Sequence, residues 1–453
     1  MAGIGGLHGG GDAMSPPPPA PSPSPSPARA AQDLTVLTVS PGALIACGVF
    51  VALLTVNSFG SLSALAFLAF LGLILLRDPA GAAAGALDHW WILLIPAWCV
   101  LSTLWSDHPA QTLRHAVQLG ITFVAAVALA AQVPPRKFLH GLWCALMVAA
   151  VASATVGHVR ENGDWTGIFG SKNAFSQPMS VLVIASWAMI LDRGEAAAWR
   201  VLSVAGFVLG SVLLYLASSA GGALATAVGL CAASLFHLLR PLTGAARIVA
   251  CVAALLLAAA AATLAVAHRE ALLTLFLEAT GKDVTLTGRT DLWAIALEQI
   301  RAAPLTGTGF NAFWVIGNPI AESLWAAFRV EAGAGFNFHN TWLSNAVEIG
   351  LPGVALQALA FGAALVLTAG WALADRSAAA VFLAATMIRQ ALLSLVEVVA
   401  YAQFEVLSVL TVAALVYGLR AARRRRSLRR AGAPQPGRRA GRALFRSVRR
   451  AAP

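Results

Sequence analysis

The sequence predicts an all-α integral membrane protein, a bundle of about twelve transmembrane helices with one large outward loop that carries short amphipathic helices. Three observations carry this prediction. The 453 residues are 58% hydrophobic and only 11% charged, where a soluble domain has roughly 25% charged residues. Charge is costly in lipid, and Leu, Ala and Val are not. Apolar runs recur from residue 36 to residue 419, each near the roughly 20 residues a helix needs to cross the hydrocarbon. Lys and Arg then alternate between the loops on the two sides.

The spans fall at about 36–55, 58–76, 89–105, 114–132, 138–157, 174–191, 199–218, 220–238, 247–267, 351–372, 378–397 and 403–419. With both ends inside, the inner loops hold Arg77, Arg136 and Lys137, Arg193 and Arg200, Arg240 and Arg247, and Arg376. The short outer loops hold Arg114, Arg160 and Lys172. Basic residues mark the cytoplasmic side, so both termini are expected in the cytoplasm of a bacterial cell, with the chain in its inner membrane.

The ends differ from the body, 35–419. Residues 1–34 are Gly-rich and then Pro/Ser-rich, too poor in apolar side chains to bury a core, and read as a disordered tail. No apolar stretch follows a basic start near Met1, so the segment does not read as a signal peptide. Residues 420–453 hold thirteen arginines and no acid. The net charge of +11 therefore belongs to this tail, because the rest has 18 basic against 20 acidic residues. Beside a membrane span such a run reads as an anchor on anionic lipid rather than as a nucleic-acid site. The five cysteines, Cys47, Cys99, Cys144, Cys231 and Cys251, sit in apolar runs without metal-ligand spacing and read as small buried residues.

One loop breaks the rhythm. Residues 268–350 are polar and aromatic-bearing, and by parity they lie outside; a loop this long usually carries function. Within it Thr290 is expected to cap a helix with Leu292, Trp293, Ala296, Leu297 and Ile300 on one side, ending before Pro304. A second helix is expected from near Asn340 to Gly350. Gly307 and Gly309 permit a tight turn or a close backbone approach to a ligand, but not a phosphate loop, since no Lys or Ser/Thr follows at the required spacing.

The informative strings are TGRTDLW (287–293), PLTGTGFNAFW (304–314) and FHNTWLSNAVEIGLPG (338–353). Their order resembles the signature of the O-antigen ligase family, which includes lipid A-core ligases and exopolysaccharide polymerases. LSTLWSDHPAQTLRHA (101–116) and GIFGSKNAFSQ (167–177) resemble the family's first two outer-loop motifs, and RQALLSLVE (389–397) its penultimate helix. The resemblance covers about residues 90–400. It implies a membrane glycosyltransferase that moves a glycan from an undecaprenyl-diphosphate-linked donor to a sugar hydroxyl on the periplasmic face, with inversion, no metal and no cofactor. The acceptor would be lipid A-core or a growing polysaccharide.

With that resemblance, His339 is expected to be the base that accepts the hydroxyl proton, since histidine titrates near neutral pH. The alternative is a capping or packing histidine. Arg289 is expected to bind the diphosphate, because a guanidinium fork holds phosphate oxygens bidentately; the alternative is a surface ion pair with Asp291 or Asp283. Lys172 and Asn173, Arg114 at a helix mouth, and Asn340 are expected to bind substrate, with Glu348 in support. Arg389 lies inside an apolar run, where an ionisable residue needs a partner or a wet cavity. Glu397, eight residues on, is expected to line the same cavity. One departure stands out. Where the family places a basic residue after a Ser, this chain has SSAGG (218–222), and Lys172 or Arg160 is the expected substitute. The rival readings are a transporter or lipid-linked glycan flippase, and a non-catalytic scaffold. Against the first, no paired halves are evident, and the polar residues concentrate in one outer loop.

Overall fold

The computed structural model describes residues 40–268 and 287–432, apart from 162, 243 and 334, together with 3, 271 and 274. Most of the 1–34 tail, all of 433–453 and Asp283 lie outside the described residues. The helices are α1 (Pro41–Leu54), α2 (Val56–Phe59), α3 (Ser61–Arg77), α4 (Pro79–Asp88), α5 (Leu94–Leu101), α6 (Pro109–Gln132), α7 (Pro135–Val156), α8 (Lys172–Leu191), α9 (Ala197–Leu216), α10 (Ala220–Leu239), α11 (Gly244–Ala267), α12 (Thr287–Ala302), α13 (Pro319–Ala327), α14 (Thr341–Ala372), α15 (Ala378–Leu393) and α16 (Val406–Gly432). Between α7 and α8 lies a small antiparallel hairpin, β1 (His158–Val159) with β2 (Trp165–Gly167). The architecture is the expected all-α, polytopic one.

Among the described residues, eight helices are long and apolar enough to cross a membrane, or nine if α3 and α4, bent by 100° at Asp78, form one span. Three shorter apolar helices, Pro41–Leu54, Trp90–Leu104 and Ala378–Leu393, lie where spans 36–55, 89–105 and 378–397 were expected. The break at Asp78 has a local cause: Asp78 caps α4 by accepting from the Gly81 amide at 2.9 Å, and Pro79 opens the helix without needing a donor.

α1 runs along α7, α8 lies between α9 and α10, α15 packs on α10 and α14, and α16 packs on α14 and α6. Their facing sides are dominated by Ala, Leu and Val with a few aromatics such as Phe123, Phe138 and Phe382, all buried. Apolar side chains on the other faces remain exposed, as on α9 (Val201, Val204, Val208), which suits a surface whose solvent is lipid.

The segment between α11 and α14 has a core of its own. Leu292 and Ala296 of α12 pack with Phe313, Leu324, Trp325 and Phe338. Trp314 stands at the centre of this cluster, with ring centroids 5.0 Å from Phe313, Phe336 and Phe338. The expected α12 face is narrower than its spacing suggested. The chain is already helical from Thr287, which puts Thr290 in the first turn rather than at the cap, and Leu297 is 43% exposed.

The second loop helix runs straight into the following span. Asn340 caps α14 by accepting from the amides of Trp342 and Leu343, both at 3.0 Å. α14 breaks inside at Gly350, where φ is 65°. Pro352 has no N–H for the Glu348 carbonyl, and the kink frees others. The string PLTGTG takes them up: Thr308 donates to Val347 at 2.9 Å, Gly309 to Glu348 at 2.8 Å, and Pro304 accepts from Leu351 at 2.8 Å. The Trp98 indole takes the Ile349 carbonyl at 2.9 Å. A Cβ on Gly307 or Gly350 would lie 2.5 Å from backbone of the facing segment. The close approach expected at Gly307 is therefore to this kink.

Candidate active site

Glu397 is the junction of the site. It was expected on the same helix as Arg389, but α15 ends at Leu393 and Glu397 lies in the irregular segment that leads to α16. That segment is stitched to the start of α14. Thr341 donates its amide to Ser394 at 2.9 Å and its hydroxyl to the Glu397 carbonyl at 2.8 Å. The Asn340 side chain donates to the Leu395 carbonyl at 3.0 Å, and the Trp342 indole to the Ser394 hydroxyl at 3.0 Å. These bonds bring His339, the residue before the α14 cap, against Glu397.

Three elements converge on the Glu397 carboxylate. Arg289, in the first turns of α12, donates to Oε1 at 2.9 Å and to the Val396 carbonyl at 2.7 Å. Asn173, at the start of α8, donates to the same Oε1 at 3.1 Å. His339 Nδ1 faces Oε2 at 3.3 Å. Arg289 therefore pairs with Glu397 rather than with the Asp291 of the alternative reading. A carboxylate on Nδ1 favours the tautomer with its proton there, which leaves Nε2 with a lone pair. That is the form a general base needs.

His339 sits in a strained conformation, with φ of 48°. Non-glycine residues adopt this rarely and at a cost. The Asn337 side chain holds the turn by accepting from the His339 amide at 2.8 Å. The Phe336 ring packs edge-on against the imidazole, centroids 5.8 Å apart. The indole of Trp293 donates to the Phe338 carbonyl at 2.8 Å and ties α12 to the same turn.

His339, Glu397 and Asn173 line a cavity of about 740 Å³. Its polar wall also includes Asn57, Arg160, Gln177, Gln403 and Glu405, and its apolar wall includes Leu53, Leu54, Phe169, Val181 and Leu407. Such a lining suits an amphiphile with a charged head and a hydrocarbon tail.

The remaining expected site residues divide. Lys172 is held by Asp164 at 3.0 Å, and Arg160, on the β hairpin, is the one of the two that reaches the cavity wall. Arg114 is exposed on α6 and does not line this cavity. Asn340 works as a helix cap. Glu348 accepts from the Asn311 amide at 3.0 Å, and Asn311 in turn donates to Gln403 at 3.4 Å, so Glu348 stands a layer behind the wall. Arg389 is fully buried and does not line the cavity with Glu397. Its guanidinium donates to Ser180 at 2.7 Å and to Gln177, whose other side faces the cavity. Where the basic residue was missed, Ser219 donates to Asn173 Oδ1 at 3.2 Å and so joins the network as a neutral group.

Gln403 and Glu405 were not anticipated, because residues 403–405 were assigned to the last span. An ionisable residue in an apolar run is the signal applied to Arg389, and it applied equally to Glu405. Positive φ at Tyr401 (67°) and Phe404 (52°) holds this segment out of helix.

The sequence model of the O-antigen ligase family matches residues 205–358, which include Arg289 and His339 but not Asn173 or Glu397. The chain is 29% identical over 331 residues to the exopolysaccharide production protein ExoQ of Rhizobium meliloti, a match that covers 70% of this chain and 75% of that protein. The motif order, the all-α membrane fold and these two matches together support the O-antigen ligase-like family as the family of this chain.

Proposed function

We propose that this protein is an inner-membrane glycosyltransferase that moves a glycan from an undecaprenyl-diphosphate carrier to a sugar hydroxyl at the periplasmic face. The observation that supports this best is the Glu397 carboxylate, which joins a base candidate and a cation on the wall of a half-apolar cavity. In the proposed reaction His339 takes the acceptor's hydroxyl proton and the oxygen attacks the anomeric carbon. The bond to the diphosphate breaks on the opposite face, so configuration inverts. The negative charge that gathers on the leaving diphosphate needs fixed cations. Arg289, held against Glu397, is assigned this role, together with Arg160 on the cavity wall. Cationic side chains then do what a metal does elsewhere, and metal independence is part of the proposal.

The name of the Rhizobium relative, an exopolysaccharide production protein, favours a growing polysaccharide over lipid A-core as the acceptor. The purified protein, given an undecaprenyl-diphosphate oligosaccharide and an acceptor glycan in the presence of a chelator, should form the longer glycan and release undecaprenyl diphosphate. Movement of the intact carrier between leaflets without release would overturn the proposal in favour of a flippase.

A further inference from the structure

A second cavity, of about 770 Å³, lies at the other end of the helix bundle. Chain order fixes its position. The first cavity is lined near the starts of α14 and α16 and beyond the end of α15. The second is lined near the end of α14, at the start of α15 and late in α16. Its wall holds four arginines, Arg136, Arg420, Arg424 and Arg425, and one acid, Asp375.

Three of the arginines are held in place. Arg420 donates to the carbonyls of Ala130 and Ala131 at the end of α6, at 2.7 and 2.9 Å. Arg425 donates to the Gly370 carbonyl at 2.5 Å, and Arg136 to Glu195 at 2.8 Å. Asp375 spends its two oxygens on the Ser377 amide at 2.9 Å and the Trp371 indole at 3.1 Å. Ser377, which opens α15, makes no capping bond with its side chain. Its hydroxyl is buried beside the Asp375 carboxylate. The cavity thus offers guanidinium groups and a hydroxyl, natural partners for phosphate oxygens, while the first amide of α15, that of Ala378, already donates to Asp192 at 2.7 Å. Pro134, Tyr417 and Leu428 supply apolar wall beside them.

We infer that this cavity seats the phosphate of an anionic phospholipid, with its glycerol and upper acyl chains against the apolar wall. This differs from diffuse attraction of the basic tail to the membrane surface, because it needs Arg424 and Ser377 and does not need residues 433–453.

The full-length protein, purified and stripped of lipid, would be titrated with phosphatidylglycerol and with phosphatidylcholine, and bound lipid counted by native mass spectrometry. Phosphatidylglycerol should be retained in preference to phosphatidylcholine, and millimolar inorganic phosphate should not displace it. Arg424→Ala should weaken retention about five-fold, the worth of one basic residue near a charged headgroup. Ser377→Ala, too conservative to unfold the chain, should weaken it measurably, and removal of 433–453 should leave it unchanged. Equal retention by both point variants, loss on tail removal alone, lack of preference between the two lipids, or displacement by inorganic phosphate would each overturn the inference.

Discussion

Glu397 grips Arg289 and His339 with different oxygens of one carboxylate, Oε1 at 2.9 Å and Oε2 at 3.3 Å. A carboxylate in that position orients the imidazole and stabilises its charged form when it takes a proton. Glu397→Gln keeps the shape and removes the charge. Transfer should slow by about 100-fold or more, since a neutral amide neither fixes the tautomer nor stabilises the imidazolium. Donor binding should change far less. A variant with the wild-type rate would remove Glu397 from the proposed mechanism.

The kink at Gly350 yields a stability prediction. φ is 65° there, and an added Cβ would lie 2.5 Å from the Leu305 backbone, which cannot move cheaply because Pro304 and Thr308 are bonded to α14. Gly163 has a φ of 82° but open space around it. Both alanine variants bear the strain of a positive φ, roughly 1–3 kcal/mol. Only Gly350→Ala adds the backbone clash, so its thermal midpoint in detergent should fall clearly below that of Gly163→Ala. Equal midpoints would mean that the kink relaxes.

A third prediction concerns pH. Burial pushes the Glu195 carboxyl up, but bonds to His140 at 3.1 Å and to Arg136 at 2.8 Å outweigh this and hold it below its ordinary value. A depressed carboxyl binds fewer protons folded than unfolded. Its stabilisation is therefore full above the unfolded value of about 4.3 and is lost as pH falls through the lower folded value. Glu195→Gln should cost about 1–3 kcal/mol at pH 7, and the gap from wild type should close as the solution is acidified below about pH 4. A gap independent of pH would place the loss in packing rather than in charge.

Much of this was legible in the sequence for a physical reason. Lipid imposes run length and charge asymmetry on every span, so helices such as α6 to α10 follow from composition alone. The Asn340 cap and the break at Gly350 were legible because capping and glycine chemistry are local. The partners of Glu397 were not. Asn173, Arg289 and His339 lie 224, 108 and 58 residues from it in the chain, and no local period records such a meeting. Arg389 shows the converse: an ionisable residue in an apolar run was read as lining the cavity, whereas it holds Gln177 from behind the wall.

Orientation rests on loop charge and has a direct test. Glu322, on α13, belongs to the segment assigned to the periplasm, and Arg376, between α14 and α15, to the cytoplasmic side. A periplasm-active reporter fused near Glu322 should be active, and one fused near Arg376 should not. The reverse pattern would invert the topology and put the Glu397 site on the cytoplasmic face.

The last prediction separates His339 from Arg289. His339→Ala removes the proposed base and leaves Arg289 on Glu397, so donor binding should stay near wild type while transfer slows by about 10²–10⁴. Arg289→Ala removes a ligand of the leaving diphosphate, a loss of roughly 10²–10³ in rate, and should weaken donor binding as well. Because both residues share one carboxylate, the two losses should not add. Without Arg289, Glu397 Oε1 keeps only Asn173 of its two donors, and the imidazole loses part of its fixed frame. The double variant should therefore be less impaired than the product of the single losses, as expected of groups that act as a unit. Arg289→Lys should recover part of the activity, since an ammonium cannot bridge Glu397 and the Val396 carbonyl as a planar fork does. If His339→Ala abolished donor binding while Arg289→Ala left it untouched, the two roles would be exchanged. Strict additivity in the double variant would mean that Glu397 does not couple them.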